Sequence, residues 1–421
     1  MADDQTRNTL SETDTLNLPI LIIGGGISGI TTAVELAEAG QEVVLIEKEN
    51  YLGGNVSHFN NYFPKLCPPS CGLEINYQRI RSNPRISYYT GASLKSICGA
   101  DGDYRVNIAL GPRLINNNCT SCGKCADICP EPRPEKLGRS AGEKAAFINN
   151  GLAFPMKYCI DPEVCLREAC AKCLEVCDYD AIQLNASAAE VEIQAGKVIV
   201  ATGWVLYDAA RIENYHYSEE SDVVTNVEFE QMLAACTREK TKLMRPSDGQ
   251  APRRIAFIQC AGSRDVNHLP YCSAVCCSAS LKHALTLESQ YPDIHSEIFY
   301  IDMRLSGRNE KLLKEAEGKE RIALTKGKVG RILPGEGEKN LVLEVEDIHR
   351  GARRQDAFDM VVLAVGLTPN HVEADLKVND NGFYLPGQVT GIVPAATCKR
   401  PMDVSSAVKD ATASALKAMQ R

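Results

Sequence analysis

At 421 residues, with 44% hydrophobic and 24% charged side chains, the chain is long enough for two or three domains and lies outside the disordered class. Its formal net charge of -8 lacks the basic footprint of a general nucleic-acid binder, no apolar run reaches the roughly eighteen residues of a membrane span, and the polar start carries no signal-peptide zones, so a cytoplasmic protein is expected. Eighteen cysteines in a reducing compartment then favour metal ligation over disulfides, with Cys98 and Cys236 standing alone as small buried hydrophobes.

Residues 1–18 read as a polar leader. A first strand, Pro19 to Ile23, runs into Gly24-Gly25-Gly26-Ile27-Ser28-Gly29 and a helix from Ile30 to Ala39, and a second strand from Glu42 to Ile46 ends at Glu47. This is the dinucleotide fingerprint in context: Gly24 permits the tight turn, Gly26 lets backbone approach a pyrophosphate, Gly29 permits close helix packing, and Glu47 is placed for a ribose hydroxyl. Ser28 and Lys48 flank the same turn, and Gly53-Gly54 adds a paired-glycine turn. The hydrophobic strand Lys197 to Val200 breaks at Ala201-Thr202-Gly203, and Asp359 to Gly366 repeats that pattern. Such a returning nucleotide domain resembles the two-domain flavin disulfide-reductase superfamily, a likeness that implies FAD, with NAD as the other candidate.

Cys67 and Cys71 sit four apart around a proline pair. They read as a redox-active dithiol, as ligands completed by another chain, or as thiols of a turn. Strands are expected at Arg85 to Thr90, Leu94 to Ile97 and Tyr104 to Leu110. The last can pair with Val191 and Ile193, leaving residues 112–181 as an insertion whose stretch from Arg133 to Tyr158 is a surface excursion.

Within that insertion, Cys119, Cys122, Cys125 and Cys129 form a C-x2-C-x2-C-x3-C-P run, followed by Cys165-x4-Cys170-x2-Cys173-x3-Cys177. Two- and three-residue gaps let a turn deliver thiolates onto one small inorganic body, and in two-cluster ferredoxins the fourth cysteine of each run crosses to the other cluster. The expected sets are therefore Cys119, Cys122, Cys125 and Cys177 for one [4Fe-4S] cluster, and Cys165, Cys170, Cys173 and Cys129 for a second. Paired structural zinc sites are the alternative.

Beyond a helix from Asn226 to Ala235, capped by Asn226, a second βαβ unit runs through Arg254 to Gln259, a helix over Ala279 to Glu288 and a strand from Glu297 to Asp302. No G-x-G-x-x-G follows its first strand. Cys260, Cys272, Cys276 and Cys277 stand there instead, as ligands of a third cluster or as buried thiols, with Arg264 and His268 nearby. Arg321 to Thr325, Lys328 to Leu333 and Leu341 to Ile348 read as edge strands and Phe383 to Leu385 as a further one. A final helix, Asp403 to Met419, begins with small residues and can direct its N-terminus at a flavin ring.

The fold class expected is thus α/β, two-domain and flavin disulfide-reductase-like, with an inserted ferredoxin-like two-cluster domain. Residues 18–111 form the first part of the FAD-binding domain, 112–181 the insertion, 182–250 the second part and linker, 251–350 a degenerate nucleotide-type domain with the cysteine motif, and 351–421 the C-terminal part.

Together these motifs, with Tyr51 to Gly54, Tyr62 to Glu74, Ile258 to Asp265 and Pro401 to Ala407, carry a resemblance over almost the entire chain. The chain resembles the flavoprotein A subunits of the heterodisulfide reductase family, and most closely those of the quinone-interacting membrane-bound oxidoreductases. The resemblance implies an FAD electron carrier with a third [4Fe-4S] cluster on Cys260, Cys272, Cys276 and Cys277. It also implies, as partners, a larger flavoprotein B subunit together with a haem-bearing membrane C subunit using menaquinol, and adenylylsulfate reductase. Such a protein would be held peripherally at the inner membrane through those subunits and would serve dissimilatory sulfur metabolism. The alternatives are a heterodisulfide-reductase-type subunit that splits electron pairs at the flavin, and a disulfide reductase using Cys67 and Cys71.

Overall fold

The computed structural model describes residues 18–134, 143–335 and 340–420. The leader over residues 1–17 and the middle of the excursion after Arg133 lie outside the described residues.

Four-residue strands of β-branched and leucine side chains, buried on both faces, are the signature of a parallel sheet. Ile20–Ile23 is the central such strand, flanked by Val43–Glu47 and Ile86–Thr90 on one side and by Lys197–Val200 and Ile392–Pro394 on the other, all parallel. Its side chains alternate between two layers. Ile20 and Ile22 join a core with the helices Ile27–Glu38 and Val404–Met419, while Leu21 and Ile23 join one with a three-stranded antiparallel sheet. Each fully buried Ile or Leu contributes about 1.5–3 kcal/mol, so the alternation by itself fixes which face meets which layer.

The antiparallel sheet consists of Ala92–Ala100, Asp103–Leu110 and Ala189–Ala195. Val106 pairs with Ile193 and Ile108 with Val191 across the seventy-odd residues that separate these strands, so the insertion leaves and rejoins the sheet at one place. It is tied to the first domain by backbone and ring contacts. Leu52 N donates to Phe154 O at 2.7 Å, and the Phe154 ring stacks on Tyr77 with centroids 4.7 Å apart.

A second sheet orders its strands Val223–Thr225, Met360–Val365, Arg254–Ala261, His295–Tyr300, Ile322–Pro334, Leu341–Asp347 and Ala352–Phe358. The first five are parallel and the last two antiparallel. The two edge strands expected from Arg321 to Leu333 are one long strand with a register shift between Val329 and Arg331. Gly327 is where the strand lies close to its partner: a Cβ there would stand 2.4 Å from Glu346 O. The strand expected at Phe383 to Leu385 is reduced to a single bridge between Val378 and Tyr384. Trp204–Leu206 and Leu367–Pro369 pair antiparallel and link the two domains.

Candidate functional site

An elongated outer cavity with about 1690 Å³ of open space follows the glycine turns. Gly24, Gly26, Ser28, Glu47, Lys48, Gly53, Gly54, Ala201, Thr202 and Gly203, all expected from the sequence, line it. Gly26 and Gly53 form a parallel bridge, and a Cβ on Gly54 would stand 2.9 Å from the Gly26 Cα. Two glycine turns thus meet backbone to backbone, with no side chain at their contact. Gly29 does not line the cavity; it permits packing, since its Cβ would lie 1.8 Å from Gly24 O. Gly366 is also away from it: it abuts Ser263 and Ser273 beneath the Cys260 loop, because the second strand turns there toward that loop. Glu47 accepts from Gly25 N at 2.6 Å and Glu49 N at 2.9 Å, and burial raises its carboxyl pKa.

An inner cavity of about 810 Å³ of open space shares Ile27, Ser28, Val56, Phe59, Trp204, Val227 and Thr397 with the outer one. The first turn of Val404–Met419 lines it, with Asp403 as N-cap accepting from Ser406 N at 2.7 Å. Its wall also holds a buried charge cluster that the sequence reading missed. Glu230, Lys282 and His283 are 3%, 5% and 1% exposed. The Glu230 carboxylate pairs with the Lys282 ammonium, accepts from Asn60 N at 2.9 Å and Asn61 N at 3.1 Å, and meets His283 Nε2 at 2.5 Å. Burial pushes Glu230 up, but the Lys282 ammonium and the hydrogen bond from His283 outweigh it and hold the carboxyl at about 2, while burial lowers both Lys282 and His283. The available signal was a Lys-His pair inside an otherwise apolar helical run, Cys276–Gln290. Asn226 lines the same cavity, and among the described residues its Oδ1 has no partner, nor has Nδ1 of His283. Asn226 was expected to cap its helix; the cap is Thr225, in a capping box with Glu228. An elongated glycine cradle ending in a chamber with orphaned polar atoms fits a dinucleotide carrying a polar ring.

In the insertion, Cys119, Cys122, Cys125 and Cys177 line one cavity, and Cys129, Cys165, Cys170 and Cys173 line another, each with about 330 Å³ of open space. The fourth cysteine of each run therefore stands with the first three of the other. Both sets use one device: the residue after the second cysteine, Gly123 or Ala171, is left-handed and N-caps a short helix carrying the third. The two additional residues before Cys170 are taken up by a 3-10 turn, Arg167–Ala169, pinned by Arg167 Nη1 donating to Leu184 O at 3.0 Å. Burial first, and neighbouring thiols after it, push Cys125 to about 12 and Cys173 to about 11. Among the described residues no three or more His, Cys, Asp or Glu side chains converge as the shell of a single metal ion. A sulfur-bridged cube is held at its corners, so its thiolates stand farther apart than the ligands of one ion and need space between them.

Cys260, Cys272, Cys276 and Cys277 also gather, within electrostatic reach of one another. Cys260 and Ala274 adopt left-handed backbone, bending both loops, and Cys276 and Cys277 open the helix Cys276–Gln290. Arg264 pairs with Asp302 and lowers the Cys260 thiol against the upward effect of burial.

Residues 19–105 match the family of FAD dependent oxidoreductases. The fold resembles thioredoxin reductase from Lactococcus lactis, with a TM-score of 0.52 at 14% identity over 95% of this chain and 97% of that one. The enzyme from T. acidophilum gives 0.50 at 14% identity, over 95% and 96%. In sequence, the A subunit of the H(2):CoB-CoM heterodisulfide,ferredoxin reductase of Methanothermobacter thermautotrophicus is 32% identical over 417 residues, which are 94% of this chain and 63% of the relative. An iron-sulfur A subunit of the CoB--CoM heterodisulfide reductase of Methanopyrus kandleri is 34% identical over the same shares. The chain is homologous to heterodisulfide reductase A subunits.

It spans about 63% of the length of these relatives. The first domain thus contains a segment similar to FAD dependent oxidoreductases, in an α/β fold like that of the thioredoxin reductases. The homology corrects the role expected from the sequence: the kinship is with heterodisulfide reductases, and nothing in it singles out a quinone-linked carrier serving adenylylsulfate reductase. Among the described residues no helix is long and apolar enough to cross a membrane. Cys67 and Cys71 carry free thiols, Cys71 is exposed, and neither lines either dinucleotide cavity.

Proposed function

We propose that the chain is an iron-sulfur flavoprotein subunit of heterodisulfide-reductase type, working in a multi-subunit complex that moves electrons between FAD and [4Fe-4S] clusters. The observation that carries this reading is the crossing of the cysteine runs, each quartet enclosing its own cavity. Bound FAD supplies the exchange between two-electron and one-electron chemistry. Gly26, Gly53 and Gly54 would cradle its pyrophosphate, and the start of Val404–Met419 would face its ring with the positive end of the helix dipole. Lys282, fixed by Glu230, would hold a proton at the wall of the ring chamber, and Phe59, Val56 and Trp204 would keep water from it.

The two quartets of the insertion would hold one cluster each, and Cys260, Cys272, Cys276 and Cys277 a third. The insertion reaches the outer cavity through Arg133, Phe147 and Asn149. A protein of this design needs partners that deliver and accept electrons, and by homology these belong to a heterodisulfide reductase assembly. The reading is tested by flavin, iron and sulfide analysis of anaerobically purified protein. One FAD and about twelve irons per chain are expected; about eight would remove the third cluster, and an iron-free flavoprotein would overturn the proposal.

A further inference from the structure

A further cavity, with about 840 Å³ of open space, lies at the seam between the insertion and the first domain and shares only Asn50 with the outer dinucleotide cavity. Arg113 and Lys157 stand in its wall, and no carboxylate among the described residues lines it. Neither cation is ion-paired among the described residues. Arg113 reaches only Thr90 O, at 3.5 Å, and Lys157 donates to Asn117 Oδ1 at 2.6 Å. The two are close enough that Arg113 adds to the effect of burial in depressing the Lys157 ammonium. Two like charges lining one cavity repel each other, weakly because Arg113 is exposed to solvent, and an anion between them would relieve that repulsion. Leu114, Ile115 and Ile160 add apolar surface to the lining, with Tyr88 beside them.

We propose that this seam cavity binds a phosphate monoester, its phosphoryl group between Arg113 and Lys157 and its organic body against Leu114, Ile115 and Ile160. A phosphate monoester near neutral pH carries between one and two negative charges on three acceptor oxygens, enough to answer both cations at one point, and the guanidinium fork suits that geometry. The cavity shares Ile115 and Tyr158 with that of the Cys119, Cys122, Cys125 and Cys177 quartet, so the proposal rests on the proposed function to the extent that the test uses iron-replete protein.

The experiment is calorimetric titration of the FAD-loaded, iron-replete protein with AMP and with inorganic phosphate, so that the dinucleotide cavity is already filled. Saturable binding of AMP, with inorganic phosphate competing, is expected. Arg113→Gln and Lys157→Gln should each weaken it about tenfold while flavin and iron content stay at wild-type values. Arg113→Lys, which keeps the charge and loses the fork, should bind more weakly than wild type and more tightly than Arg113→Gln. Absence of saturable heat with either probe would overturn the proposal. So would AMP binding confined to FAD-free protein, equal competition by succinate, or variants that bind as wild type does.

Discussion

Replacing Glu230 by glutamine tests the buried charge cluster most directly. In the folded chain the carboxyl is held at about 2 against an ordinary 4.5, so its charged form is favoured by about 3 kcal/mol. Loss of one partner from a buried pair costs about 3–5 kcal/mol by the independent route of an uncompensated charge, and the two figures agree in size. Because Lys282 is already lowered by burial, it would shed its proton in the variant and keep the loss near the lower figure. For domains of 150–250 residues, 3 kcal/mol corresponds to a fall of about 6–12 °C in melting midpoint, read by circular dichroism of the FAD-loaded protein. The pH dependence has a definite direction. The folded carboxyl titrates below the unfolded one, so its contribution is complete above about pH 4.5 and fades as pH falls toward 2, and the gap between wild type and Glu230→Gln should narrow over that window. Adding Lys282→Met should recover part of the loss by removing the unpaired amine. A Glu230→Gln midpoint within about 2 °C of wild type, or a double variant less stable than the single one, would refute the reasoning.

Gly54→Ala should abolish FAD retention while leaving secondary structure intact, because its Cβ would press on the Gly26 backbone from a left-handed position; a fully flavinated variant would contradict the cradle. In metal-free protein, iodoacetamide should label exposed Cys122 quickly at pH 8 and Cys125, held at about 12, slowly; equal rates would remove the burial argument. Cys177→Ser and Cys119→Ser should remove the same electron-spin-resonance signal, and Cys129→Ser the other; pairing of Cys177 with Cys173 would break the crossed arrangement. Arg264→Gln should lower the midpoint potential of the cluster proposed on Cys260, since the guanidinium favours added negative charge, and an unchanged potential would leave Arg264 as a structural ion pair with Asp302.

The readings that came out of the sequence are those in which a local pattern has one geometric solution. Gly24 to Gly29 with Glu47 can serve only one kind of turn, and Ile20 to Ile23 can only be a strand buried on both faces. The pairing of Tyr104 to Leu110 with Val191 and Ile193 followed from alternation, despite the insertion between them. The grouping of the quartets was expected from the two-cluster ferredoxin arrangement of such runs, and the structure lines one cavity with each expected set. The readings that failed depended on what lay across the chain. Gly366 follows the same strand pattern as Gly203, yet its strand ends against the Cys260 loop, and the physiological role inferred from resemblance gave way to the heterodisulfide reductase kinship.

The sequence by itself determined the nucleotide turn, the paired cysteine runs and the alternation of the sheets, because each is set by residues within a few positions of one another. Only the tertiary structure decided that Glu230 meets Lys282 and His283 at the inner cavity, and that Arg113 and Lys157 line one seam cavity. Those encounters join residues some forty to fifty positions apart, and the field at each site comes from burial and from charges on separate elements. No local periodicity encodes that sum; it exists once the elements have packed.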